Sequence, residues 1–309
     1  MDKIAELSGM RFGVEIETVG ISRKDTVSAI WRVVGGEVKH EGGSYDKWSC
    51  VAPDGRKWNA ASDASIGRGN AEVVSPILNY PDDISVLQNV IRAIRKAGGK
   101  VNSSCGIHVH VDASCLDGRQ LGNLAKIVYK QEPLILHALQ ISEARLNSYT
   151  KPMESAFIEE INKYRPKNLH QLSCLWYHQS NTEESRLQHY HQSRYHGVNF
   201  HSLFYRGTVE FRWFESTLHA GKVKSYIQYC LLLVNRAREV KFAASKRLPD
   251  RIPAIRFMDV ESVYTLRETR FNGRVSNCRY LVDFRLDKWI SRCIFHVDSA
   301  GSVGRIRRG

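Results

Sequence analysis

The chain has 309 residues, 42% of them apolar, and a formal net charge of +13. That is enough for a sizeable core in one large domain or two small ones, and one main domain is expected. The early acids Asp2, Glu6 and Glu15 and the lack of a long apolar run exclude a signal peptide and a membrane span, so a soluble cytoplasmic protein is expected.

An opening strand is predicted over about 10–18. Within it Gly13-Val14-Glu15-Ile16-Glu17 alternates, and side chains on a strand point to opposite faces in turn. Glu15 and Glu17 therefore share one face, and Val14 and Ile16 the other. A segment from Asp25 to Val34 follows, then a Gly-rich stretch at 35–43. Next comes a hairpin in which Trp48-Ser49-Cys50-Val51 and Lys57-Trp58 flank the turn dipeptide Asp54-Gly55. Beyond the polar turn Ser62 to Gly67, the run Ala71 to Ser75 reads as another strand and carries Glu72. Ile84, Leu87, Ile91 and Ile94 fall at helical spacing, with Asp82 as cap and Gly98-Gly99 as stop. This helix is expected on the apolar side of the sheet.

A strand at 106–112 repeats the alternation, with His108 and His110 on one face and Ile107 and Val109 on the other. A helix over about 119–141 presents Leu121, Leu124, Val128, Leu134, Ile135 and Leu139, with a kink expected at Pro133. Residues 150–196 lack a clear period and are expected to form a partly helical insertion or lid. A strand pair is predicted from Tyr195 to His201 and from Gly207 to Phe214; the second strand places Glu210 and Arg212 opposite Val209 and Phe211. An apolar helix at about 221–241 holds Val223, Ile227, Cys230, Leu231 and Val234, and the last 65 residues are expected to be mostly helical. The fold class is α+β, with a main domain at 1–240 and a C-terminal extension at 241–309 packed on it.

If the three alternating strands share a sheet, one face is a hydrophobic floor and the other holds three carboxylates, two imidazoles and a guanidinium. Each pair alone has an ordinary explanation. Paired acids suit a solvated sheet surface, a histidine is commonly a satisfied core or surface residue, and Glu210 with Arg212 suits an ion pair within the sheet. Together they would be costly with nothing bound, so the face is read as holding metal ions and an anionic ligand. Acidic company around His108 and His110 favours magnesium or manganese over zinc. With Glu72 added, the set suits phosphoryl transfer, where metals and arginines neutralise phosphate charge. A metal-dependent hydrolase would need similar ligands. No Walker-type glycine loop is present.

The charge of +13 points to polyanionic partners such as nucleotide, nucleic acid or an acidic polymer, so a nucleic-acid-binding protein on the same scaffold is a further reading. Seven cysteines, scattered singly and without a CxxC pair, indicate neither a disulfide framework nor a zinc ribbon.

Four blocks in this order resemble the amidoligase family, a branch of the carboxylate-amine ligase superfamily that includes glutamine synthetase and glutamate-cysteine ligase. They are Phe12-Gly13-Val14-Glu15-Ile16-Glu17; Asp63-Ala64-Ser65 running to Ala71-Glu72-Val73-Val74-Ser75-Pro76; Cys105-Gly106-Ile107-His108-Val109-His110-Val111; and Arg194-Tyr195-His196-Gly197-Val198-Asn199 leading to Gly207-Thr208-Val209-Glu210-Phe211-Arg212. The resemblance spans about residues 10–240. It implies an antiparallel sheet forming a glutamine synthetase-like funnel, with ATP and two or three magnesium ions inside. By that similarity Glu15, His108 and Glu210 hold the metal that bridges the nucleotide phosphates, with His110 beside them in the metal group. Glu17 and Glu72, with Asp63, hold the metal near the substrate carboxylate. Arg212 and Arg194 face the transferred phosphate, and Asn199 orients substrate or nucleotide. The implied reaction joins a carboxylate to an amine through an acyl phosphate, with the 175–195 segment as a lid that keeps water out.

Overall fold

The computed structural model describes residues 5–67, 69–139, 141–178 and 182–246, together with strands at 263–271, 274–285, 290–297 and 303–305. They fall into two compact units, 1–247 and 248–309. In chain order the first unit holds β1 (Arg11–Val19), α1 (Arg23–Val34), β2 (Glu37–Gly42), β3 (Lys47–Val51), β4 (Lys57–Ala61), β5 (Asn70–Val74), β6 (Leu78–Asn79), α2 (Ile84–Lys96), β7 (Gly106–Asp112) and α3 (Gly118–Leu139). Then come α4 (Glu143–Ser148), α5 (Ser155–Tyr164), α6 (Leu169–Trp176), α7 (Thr182–Leu187), β8 (Val198–Asn199), α8 (His201–Arg206), β9 (Thr208–Glu215) and α9 (Ala220–Glu239).

The sheet runs β2-β3-β4-β5-β1-β7-β9-β8, with β6 also on β1, and every pairing is antiparallel. Strands β2 and β8 stand at opposite ends of that order, so the sheet does not close on itself. The alternation places Val14, Ile16, Ile107, Val109, Val209 and Phe211 in the core. Helix α1 packs on β3, β4 and β5, helix α9 on β7, and α2 contacts both helices. The apolar face of α2 explains its place: Ile84, Leu87, Val90, Ile91 and Ile94 are all buried, each contributing about 1.5–3 kcal/mol by leaving water.

Register brings the expected faces together. Glu15 lies opposite His108 and Glu17 opposite Glu72, while His110 lies opposite Glu210. Between the Val109–Phe211 and Ile107–Phe214 pairs, β9 carries one residue more than β7, a bulge in which Arg212 and Trp213 both face His108. Phe214 is thereby turned onto the helix side, where it stacks on Tyr226 of α9 at 4.2 Å between ring centroids.

Several expectations are corrected. The cap of α2 is Asp83 rather than Asp82, and its carboxylate accepts from Asn79 N–H rather than from the helix. The strand expected from Tyr195 to His201 contracts to Val198–Asn199, and His201–Arg206 is a helical turn closed by Gly207 in the left-handed conformation. Residues 37–42, inside the Gly-rich stretch, form the edge strand β2. The C-terminal expectation of helix is overturned. That unit is a four-stranded antiparallel sheet of β10 (Val263–Phe271), β11 (Arg274–Arg285), β12 (Ile290–Val297) and β13 (Val303–Arg305). Its sequence is rich in β-branched and aromatic residues, and Asn272-Gly273, a favoured hairpin dipeptide, stands between β10 and β11.

Candidate active site

Ten residues singled out from sequence line one cavity of about 700 Å³: Glu15, Glu17, Asp63, Glu72, His108, His110, Arg194, Asn199, Glu210 and Arg212. The strands β1, β5, β7 and β9 deliver the acids and imidazoles because their alternation is in register across the sheet.

His108 is the centre of the cluster. Its Nδ1 lies 3.0 Å from Glu15 Oε2 and 3.5 Å from Glu210 Oε1, while its Nε2 lies 3.8 Å from Glu17 Oε1. Two triplets of donor atoms, each within 4.8 Å of one another, result: Glu15, His108 and Glu210, and Glu17, Glu72 and His108. A single imidazole has one lone pair to give, so only one triplet can use His108 as a ligand while the other receives its N–H. Carboxylate oxygens with one imidazole are the donor set of a hard divalent cation.

The electrostatics agree with such a cation. Burial first, then the charges of Glu15, Asp63, Glu17 and Glu210, hold the Glu72 carboxyl well above the usual range. Burial also raises Glu17, against the pull of His108 and the Gly106 N–H that its carboxylate accepts. For Glu15 burial works against charge, yet His110 and His108 together hold it well below the usual range. Burial opposes the charge of Glu210 as well, but Arg212, His110 and His108 bring it down to about 2. Five acids share the cavity, and around Glu72 the named charges are all acidic, a local crowding of negative charge that a divalent cation would offset.

Two of the sequence-derived ligands fall outside both triplets. Asp63 is already engaged in a local turn, accepting from the backbone N–H and the hydroxyl of Ser65. His110 places Nε2 3.4 Å from Glu15 Oε1 without hydrogen-bond geometry, and its Nδ1 lies 3.3 Å from Thr208 Oγ1. Asn199 uses both ends of its amide: Nδ2 donates to Glu210 Oε2 at 2.6 Å and Oδ1 accepts from Ser202 N–H. It therefore orients Glu210. Arg212 pairs with Glu210, and Arg194 stacks on the rings of Tyr190 and Tyr195.

A family model described as "Putative amidoligase enzyme" matches residues 8–234. The chain belongs to this amidoligase family. No curated protein matches it. Membership suggests a ligase-type enzyme, and the matched segment contains every residue of the cavity named so far. No described helix is long and apolar enough to cross a membrane.

Sequence reasoning missed several parts of the amidoligase cavity. Arg145, on the six-residue helix α4, lines the wall with its guanidinium flush against Gly106. Tyr45 and Tyr190 also line it, and their hydroxyls meet at 2.7 Å across 145 residues of chain. A helix as short as α4 leaves no periodic signal, and the tyrosine contact joins two loops.

The cavity wall also contains a buried neutral histidine. His201 Nε2 lies 2.8 Å from Gln188 O, which can only accept, so Nδ1 accepts from the Tyr177 hydroxyl at 2.5 Å. Burial, helped by His191 and Arg194 and opposed by the Gln188 carbonyl and Glu210, brings His201 down to about 4. The unfolded chain takes up this proton near pH 6.5 and the folded chain does not. Its contribution to stability is therefore complete above about pH 6.5 and is lost as pH falls towards 4, by about 2–3 kcal/mol. Thermal unfolding of wild type and His201→Gln across that window reads the difference. Parallel pH profiles would remove this account.

Proposed function

We propose that the protein is an ATP- and magnesium-dependent carboxylate–amine ligase of the glutamine synthetase-like superfamily, working through an acyl phosphate. The observation that supports it most is the pair of donor triplets sharing His108 in the cavity of an amidoligase. Glu15, His108 and Glu210 would hold one cation, and Glu17 with Glu72 a second. Bound Mg2+ or Mn2+ would supply neutralisation of phosphate charge. The remaining work belongs to the chain. Asn199 fixes the carboxylate of Glu210. Arg212, paired with Glu210 and lining the cavity, would place its guanidinium charge towards a phosphate oxygen. A substrate carboxylate oxygen attacks the γ-phosphate of ATP and ADP leaves. An amine then attacks the activated carbonyl, loses a proton, and inorganic phosphate departs. Water at that stage would hydrolyse the acyl phosphate; the Tyr45–Tyr190 bridge and the segment before β8 would exclude it.

The test is phosphate release from ATP and Mg2+ in the presence of acid and amine pools. Release that requires both pools is expected. Cleavage without ATP would favour a metal-dependent hydrolase. Salt-sensitive nucleic-acid binding without ATP turnover would favour a nucleic-acid-binding role instead.

A further inference from the structure

Among the described residues Cys50, Cys105 and Cys230 are buried, Cys115 is exposed and Cys174 is half-buried. Burial pushes the thiols of the first three up, which keeps them inert. The two accessible cysteines differ in their company. Helix α6 carries His170 and Cys174 one turn apart, and the Cys174 Sγ lies 3.7 Å from His170 Nε2. The other ring nitrogen, Nδ1, lies 3.4 Å from Glu183 Oε1 on α7, and Arg186 holds that same carboxylate at 3.3 Å. No other described cysteine has an imidazole at its sulfur. The line of Cys174, His170 and Glu183 stands outside the amidoligase cavity, and none of the three lines it.

The order of the three groups sets the tautomer. An ionised Glu183 can only accept, so Nδ1 carries the hydrogen and Nε2 turns its lone pair to the sulfur. The thiol can pass its proton to that lone pair, and the imidazolium then stands between two negative charges, the thiolate and the Glu183 carboxylate. A nucleophile, a base within reach and a third group that orients the base together make a sulfur attack. The opposite face of α6 is fixed, with Leu172, Leu175 and Trp176 buried and the Trp176 indole N–H donating to Ser193 Oγ at 2.9 Å.

We propose that Cys174 is a nucleophilic thiol and a site of reversible modification by small-molecule disulfides, with His170 as its base and Glu183 as the residue that positions His170. In the step, Cys174 Sγ gives its proton to His170 Nε2 and attacks one sulfur of the disulfide. A new S–S bond forms, the old one breaks, and the leaving thiolate takes the proton from His170, so one disulfide is exchanged for another without net oxidation.

The proposal stands apart from the ligase reading and is tested without turnover. The full chain, with all seven cysteines reduced, is mixed with glutathione disulfide, and site-resolved mass spectrometry follows the rate at each cysteine. Cys115 is the internal reference. Exposure alone would make Cys115 the faster of the two, whereas Cys174 is expected to lead by at least about tenfold. His170→Gln is expected to erase that lead and to leave the Cys115 rate within about twofold. Glu183→Gln is expected to cut the lead about threefold, and Glu183→Asp, which keeps the charge, to retain more of it than the amide does. Equal rates at the two cysteines in wild type overturn the proposal, and so does a lead that survives His170→Gln. A lead unchanged in Glu183→Gln overturns the part given to Glu183. Labelling at the buried Cys230 reports a variant that has lost its fold; if His170→Gln shows it, His170→Asn decides the same comparison.

Discussion

In the ligase proposed above, Glu210→Gln is expected to lower acid- and amine-dependent ATP turnover by about a thousandfold and to abolish the melting shift expected on adding Mg2+. One Glu210 oxygen faces Arg212, His108 and His110, and the other accepts from Asn199. A glutamine can keep only one of those acceptors. With its carbonyl towards Arg212, its NH2 meets the NH2 of Asn199, and turning the Asn199 amide over sacrifices the bond from Ser202 N–H. Arg212 is left buried without a counter-charge. Arg212, His110 and His108 bring this carboxylate down to about 2 against its burial, and removing the charge that they hold is expected to cost the variant roughly 2–3 kcal/mol even without metal. Two readouts check this: turnover against Mg2+ concentration, and melting temperature with and without Mg2+. Full turnover, or an Mg2+-dependent melting shift as large as wild type, would refute the assignment of Glu210.

The second large effect is on stability alone. Gly197→Ala is expected to cost about 3 kcal/mol or more, a fall in melting temperature of roughly 6–12 °C for a unit of this size. A Cβ at 197 would lie 2.0 Å from Nε1 and 2.3 Å from Cδ1 of Trp213, which is fully buried. The ring cannot retreat cheaply, because Nε1 donates to Glu132 Oε1 at 3.2 Å and the other Glu132 oxygen accepts from Met153 N–H at 2.7 Å. The backbone cannot retreat either: Gly197 N–H donates to Lys151 O, and its carbonyl accepts from Arg212 N–H at 2.8 Å. Trp213→Phe in the Gly197→Ala background should recover part of the loss, since phenylalanine lacks the pyrrole edge. Calorimetric unfolding of the single and double variants measures this, and strictly additive losses would count against the clash.

The sequence made the site more legible than its details. Period-2 alternation is a local property, so Glu15, Glu17, His108, His110, Glu210 and Arg212 could be assigned a common face before any pairing was known. Which donors converge is a matter of register and of competing local bonds. Asp63 lies outside the triplets, and Ser65, two residues away, holds one of its carboxylate oxygens in a local turn. Arg145 was invisible because one short helix presents it and its meaning lies in a glycine 39 positions earlier in the chain. The edge strand β2 is largely exposed, so it has no apolar face to announce it. In the C-terminal unit the dipeptide Asn272-Gly273, set among β-branched and aromatic residues, was the signal that favours a hairpin over a helix.

The bulge in β9 acts as a phase shift. Read straight through Thr208 to Glu215, the alternation would aim Phe214 at the cavity and Glu215 at the helices; an offset of one residue reverses both. The ladder from Arg212 to Phe214 would be complete without Trp213, so that residue is released from serving either face. It acts instead as a peg, fastening β9 to Glu132 of α3 and to the glycine that precedes β8. Any motion of α3 would therefore be felt one residue along the chain from Arg212, and the stiffness of that wall is set by an indole that never enters the cavity.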